Sequence, residues 1–258
     1  MIIDTHTHIG EIIDILCFDH SLETLLKRMD ELGIDAIIQA SNKGLNLTEY
    51  EKCADESLYY YEKSGHRIFN YFLFDPRYSE RCLAVMEKYH DHPAFVAIKI
   101  HPTEHHVFGN DPGYRAAWDA ARKYGLPIMS HTWALSSYNP NQRYAVPELF
   151  EEYIKEYPDV KFVFGHSGGR TDGVRAAAAL AKKYDNAYLD IAGDPFEYGV
   201  VEYLANHAGS HKMVFGSDMF WFDPSAQLGL VLGADLTDED KENIFYKTAL
   251  KVFPRVKI

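Results

Sequence analysis

Short apolar runs alternate with longer amphipathic stretches along the whole chain, and this alternation constrains the fold more than any other feature. The runs occupy residues 1–4, 36–40, 68–74, 95–100, 127–130, 161–164, 187–190 and 213–215, each with the composition of a buried strand. Helix-like stretches follow at about 21–33, 48–64, 77–90, 113–124, 147–156, 170–183, 197–207 and 239–253. Ser21 and Thr48 are placed to cap helix starts, with Glu51 completing a capping box after Thr48. Gly33, Gly65 and Gly125 stand just past helix ends, where a left-handed residue is wanted. Eight such pairs in 258 residues predict an α/β fold of the (β/α)8 TIM-barrel type, with residues 1–258 as one domain. The competing open, doubly wound sheet wants a glycine-rich phosphate turn after an early strand. His6-Thr7-His8-Ile9-Gly10 is nothing of the kind.

Composition excludes several classes of function. A formal net charge of −12 argues against a nucleic-acid or anionic-membrane surface, and the chain lacks an apolar stretch of about eighteen residues that would span a bilayer. Cys17, Cys53 and Cys82 are widely spaced and read as reduced thiols, which with the absence of a leader-like start leads us to expect a cytoplasmic protein. A small-molecule substrate is the partner this leaves, and the aromatic-rich loops are compatible with a homodimer.

In such a barrel the active site is built where the strands end. If residues 1–4 are a strand, His6 and His8 project together from its tip, because side chains two apart share a face. Strand four carries Lys99 and His101 on one face; strand five ends in His131, strand six in His166 and strand eight in Asp218. Taken singly, His131 reads as an ordinary half-buried histidine and Asp218 as a helix cap. Metal-ligand side chains at the ends of at least four runs read instead as one centre.

These residues carry a resemblance. Asp4-Thr5-His6-Thr7-His8, Ile98-Lys99-Ile100-His101-Pro102, Gly165-His166-Ser167-Gly168-Gly169 and Gly216-Ser217-Asp218 resemble, in order, the motifs of the amidohydrolase superfamily. More narrowly they resemble its amidohydrolase-2 branch, which includes aminocarboxymuconate-semialdehyde decarboxylase-like enzymes and several lactonases. The resemblance implies that His6, His8, His131 and Asp218 bind one divalent metal, zinc first and manganese as an alternative. It makes His166 the base or electrostatic partner beside a metal-bound water. Asp218 would both touch the metal and accept a proton. In several branches a strand-four lysine is carboxylated and bridges two metals; in this branch it is often unmodified. One metal is therefore expected, with Lys99 beside it, and a second only if Lys99 is carboxylated. Gly168 and Gly169 are expected to let the backbone approach a ligand.

The implied reaction is hydrolysis of an amide, lactone or ester of a small molecule by metal-bound hydroxide. The alternative is non-oxidative decarboxylation of a small carboxylic acid on the same site. Related chains often carry an Asn where this one has Tyr246-Lys247-Thr248-Ala249, and the chain reads as short for the decarboxylase subgroup, which favours a small hydrolase. His105, His106, Trp133, Tyr138, Arg143, Phe220 and Trp221 lie in loops expected to wall the pocket. Among these, Trp133 and Trp221, together with His101 and Arg170, are the candidate substrate contacts. Arg170 is read either as a bidentate carboxylate clamp or as a surface salt-bridge residue. His66, His90, His92, His207 and His211 are expected to face solvent.

Overall fold

A computed structural model describes residues 1–10, 17, 19–136, 138–193 and 197–258. Eight parallel strands follow one another in chain order: β1 (Ile3–Ile9), β2 (Ala36–Ser41), β3 (Ile68–Leu73), β4 (Phe95–Ile100), β5 (Ile128–His131), β6 (Phe162–Gly165), β7 (Ala187–Asp190) and β8 (Met213–Val214). β8 is only two residues long, but the chain beyond it meets β1. Thr5 N donates to Phe215 O at 2.9 Å and Asp218 N to His6 O at 2.8 Å, while Thr7 bridges Met219 in parallel. The result is a nearly closed (β/α)8 barrel.

The helices are α1 (Leu22–Leu32), α2 (Asn42–Leu47), α3 (Tyr50–Lys63), α4 (Ser79–Tyr89), α5 (Pro102–His105), α6 (Arg115–Tyr124), α7 (Glu151–Glu156), α8 (Thr171–Lys183), α9 (Val200–Ala208), α10 (Pro224–Gly233), α11 (Asp238–Glu242) and α12 (Thr248–Val252). They cover the outside of the sheet, so strand residues are buried on both faces and the strands read as continuous apolar runs. Aromatic side chains fill the layer between: Trp118 of α6 stacks on Phe162 of β6 at 5.4 Å and on Tyr153 of α7 at 5.3 Å. Burying a side chain of this size contributes roughly 2–3 kcal/mol. Among the described residues, no helix is long and apolar enough to cross a membrane.

The expected punctuation holds at several places. Ser21 accepts a hydrogen bond from Thr24 N at 3.2 Å, and Gly33 and Gly125 end α1 and α6 with φ of 67° and 64°. Thr48 does not cap a helix start. The short helix α2 intervenes after β2, Thr48 ends it with φ 55°, and α3 begins at Tyr50 with no side-chain cap. The expected final helix at 239–253 is also interrupted: residues 243–247 form a wider π-type turn between α11 and α12. That turn presents the Ile244 carbonyl to Phe215 N at 2.8 Å and so ties the last helix to the strand that carries the site.

β1 runs five residues further than its apolar stretch suggests. His6, Thr7 and His8 are buried inside the strand because β2 pairs with one side, through Thr7–Gln39, His8–Ala40 and Ile9–Ser41, and Met219 O accepts from His8 N on the other. Two flanking partners satisfy the backbone of a polar sequence that alone would not be read as a strand. The three cysteines are unpaired thiols.

Candidate metal centre

Three side chains converge at the seam between β1 and the end of β8. His8 Nε2 lies 3.2 Å from Asp218 Oδ1, and His6 Nε2 lies 3.7 Å from the same oxygen. One ligand atom from each residue falls within 4.8 Å of the others, and all three residues are buried. Local backbone geometry produces this convergence. The β1–β2 register shifts between Asp4 and Thr7, and Asp218 adopts φ 65°. His166 and Ser167 are left-handed too, at 60° and 47°. Non-glycine residues held in this region cost about 1–3 kcal/mol each and cluster at functional sites.

The tautomers follow from the hydrogen bonds. His6 Nδ1 donates to Asp190 Oδ2 at 2.6 Å, and His8 Nδ1 donates to the Ala40 carbonyl at 3.2 Å. A neutral imidazole has one N–H, so both Nε2 atoms carry lone pairs. Burial favours that neutral form, drawing the pKa of His8 down and that of His6 down strongly. Burial opposes ionisation of Asp218, and a proton donated by His8 or a positive charge on His6 or His166 would act the other way, holding its carboxyl below the usual range. Asp218 Oδ1 is buried and makes no hydrogen bond. Lys99 Nζ meets the His6 Nε2 lone pair, but the His8 Nε2 lone pair and the orphaned carboxylate oxygen face each other at 3.2 Å and repel unless positive charge lies between them. The set fits a divalent cation, and the hydrogen bond from His6 to a carboxylate is the usual support for a ligating imidazole.

Lys99 is fully buried with its Nζ 2.6 Å from His6 Nε2. Burial lowers its pKa to about 8, against the pull of Asp190 and Asp218. It stands beside the cluster, as expected, and touches one of its histidines.

His131 is brought near the three but not among them. Its ring lies 4.9 Å from that of His166, and its Nε2 contacts Gln142 Oε1 at 2.9 Å. His166 sits 4.8 Å from His6, ring to ring; its Nδ1 donates to the Ala192 carbonyl at 2.9 Å, which leaves Nε2 as an acceptor. His101 is buried, stacked on His131 at 4.2 Å, with Nδ1 accepting from Glu104 N. Trp221 stacks on His8 at 4.6 Å and donates Nε1 to Asn42, so it covers a cluster residue. Trp133 lies 5.4 Å from His166, ring to ring, and forms the inner wall of a cavity of about 710 Å³ that Arg170 also lines. Arg170 is exposed at the start of α8.

Several expected roles are not borne out. Gly168 and Gly169 make no room for a ligand: a Cβ there would strike the Gly173 backbone and the Trp133 ring. His105 is buried and bonded to Tyr114 Oη at 2.6 Å, away from the cluster. Arg143 is exposed and donates to Tyr144, and His106 is exposed; Tyr138, also exposed, does line the cavity beside Trp133, as expected. His90 and His92 are half-buried, whereas His66, His207 and His211 face solvent.

Two carboxylates in the site went unassigned by sequence reasoning. Asp4 accepts from Ser217 N at 3.0 Å and His6 N at 3.2 Å and so fastens the Asp218 turn to β1; burial raises its pKa to about 7. Asp190 orients His6, accepts from His166 N at 3.2 Å and from Ala192 N, and has its pKa pushed up by burial. The signal was present, since Asp190 ends the seventh run as His131 and His166 end theirs.

The model of the amidohydrolase family matches residues 3–255. Known structures share the fold at low identity. A crystal structure of an amidohydrolase II is 18% identical with TM-score 0.76, covering 98% of this chain and 100% of that one. 4-Oxalomesaconate hydratase from Rhodopseudomonas palustris is 18% identical with TM-score 0.73, covering 99% and 96%. 5-Carboxyvanillate decarboxylase from Novosphingobium aromaticivorans, crystallised with manganese, is 14% identical with TM-score 0.76, covering 98% and 96%. No curated protein sequence matches the chain.

Proposed function

The chain belongs to the amidohydrolase family, and from that premise we propose that it is a metal-dependent hydrolase acting on an ester, lactone or amide of a small molecule. His6, His8 and Asp218 would hold one divalent cation, zinc first and manganese as the alternative, with His131 as a further ligand. When bound, the cation supplies Lewis acidity, polarising a carbonyl and lowering the pKa of water towards about 7.

One observation carries the choice of hydrolysis: both groups positioned to handle protons are presented as acceptors. Asp218 Oδ1 is unpartnered, and His166, with Nδ1 turned to the Ala192 carbonyl, presents Nε2 as an acceptor. Deprotonating an attacking water requires acceptors. His166, once protonated, can return that proton to the leaving group. Asp190 holds the His6 ring and the His166 backbone together, so ligand and base move as one unit. Trp221 flanks the cluster by stacking on His8, and Trp133 flanks it beside His166.

Decarboxylation is the second reading. It is favoured by Arg170 on the cavity beside Trp133, where a substrate carboxylate could be anchored, and by the decarboxylase that shares the fold. A panel of lactones, esters, amides and aromatic carboxylic acids, offered to zinc- and manganese-loaded protein, separates the two. Acid release from a lactone or ester, lost in His166→Asn, is the expected result. Carbon dioxide release from an aromatic acid with no hydrolysis of any panel member would replace this reading with the second.

A further inference from the structure

We infer that Gln142 is a positioning residue that selects which nitrogen of His131 is available to the metal, an inference that rests on the metal-dependent reading above. Two contacts converge on one atom. His131 Nε2 lies 2.9 Å from Gln142 Oε1, and Thr103 Oγ1 donates to the same oxygen at 3.2 Å. All three residues are buried. A carbonyl oxygen only accepts, so the proton of His131 is on Nε2 and the lone pair is on Nδ1. His6 and His8 hold the opposite tautomer, with Nδ1 protonated. His131 therefore meets a cation only through Nδ1.

The ring is held from its faces as well. It stacks on His101 at 4.2 Å with planes 10° apart and lies parallel to Trp133 at 5.9 Å. Gln142 sits on the 3₁₀ segment Pro140–Ala145 of the loop after β5, and Thr103 on α5 after β4. The amide thus joins two loops at the mouth of the barrel to the histidine that ends β5. The amide is no ligand itself and acts only through the imidazole it orients.

The test reads the ring nitrogens directly. In long-range ¹H–¹⁵N spectra of the metal-free chain, with the His131 signals assigned by their loss in His131→Gln, Nε2 is expected to be protonated and Nδ1 not. Gln142→Leu is expected to mix the tautomers and to weaken zinc binding about 10- to 100-fold. Gln142→Glu, which keeps an acceptor at the same reach, restores most of the affinity. A wild-type His131 protonated on Nδ1 overturns the inference. So does a folded Gln142→Leu variant that binds zinc like wild type. Failure of the underlying metal reading looks different: His6→Ala would bind zinc as tightly as wild type, while the His131 tautomer would still decide the role of Gln142.

Discussion

Two buried, titratable clusters sit at the ends of the strands, and they differ in one respect. After β3, Asp75 accepts from Arg77 N at 2.9 Å, from the Arg77 guanidinium at 2.6 Å and from Tyr50 Oη at 3.2 Å, while His105 nearby is bonded to Tyr114. Each of these groups has a partner within the protein. At the β1–β8 seam, Asp218 Oδ1 has none; of the two nitrogens facing it, His6 Nε2 meets Lys99 Nζ at 2.6 Å and His8 Nε2 presents a lone pair. Burial and perturbed pKa values are common to both clusters and identify neither as a site. What separates them is satisfaction: a closed network stabilises the fold, whereas an open set of acceptors is held ready for a ligand.

The largest expected contrast comes from removing one carboxylate from each. Asp218→Asn should weaken zinc binding by more than about 100-fold, beyond what loss of an indirect partner costs. It should leave the melting temperature of the metal-free protein unchanged or raised, because repulsion between acceptors is relieved. Asp75→Asn should do the reverse, leaving metal binding intact while lowering stability by about 2 kcal/mol, a value that allows for the exposure of Arg77. Thermal unfolding with and without zinc checks both. Equal destabilisation of the metal-free protein by the two changes would erase the distinction.

A smaller effect lies between the clusters' extremes. Asp190→Asn removes the acceptor for His6 Nδ1 but leaves the ligands in place, so zinc affinity should fall about 10- to 100-fold. Isothermal titration reads this, and unchanged affinity would show that His6 needs no orientation.

How much of this was legible in sequence follows the same line. The order of strands and the residues His6, His8, His166 and Asp218 could be read because each stands at the end of an apolar run with few other reasons to be there. The length of β1 could not, since His6-Thr7-His8 becomes a strand only when β2 and Met219 pair with it. Thr48 fits the local pattern of a helix cap, and only the extra helix α2 changes its role. Gln142 and Asp4 act through contacts made far along the chain, with Thr103 and with Ser217, and neither contact leaves a local periodicity to detect.

A pH effect belongs to the satisfied cluster. Burial lowers the His105 pKa from 6.5 to about 4. A histidine kept neutral in the fold contributes stability that is fully present above its unfolded pKa and is lost as pH falls through the folded one. Between pH 6.5 and 4 the unfolded chain binds more protons, so stability falls with pH, by up to about 3 kcal/mol from this residue. Urea unfolding at pH 7.5 and 5 should show a smaller loss for His105→Gln than for wild type. Identical losses would mean that His105 does not carry this dependence.

The central claim is that the orphaned seam is a metal centre, and metal content per chain tests it most directly. Elemental mass spectrometry on wild type and on His6→Ala, His8→Ala and Asp218→Asn, each incubated with zinc or manganese and desalted, should give one equivalent in wild type and a small fraction in each variant. Two equivalents in wild type would bring Lys99 in as a carboxylated bridge. No retained metal in wild type, or full retention in all three variants, would contradict the account.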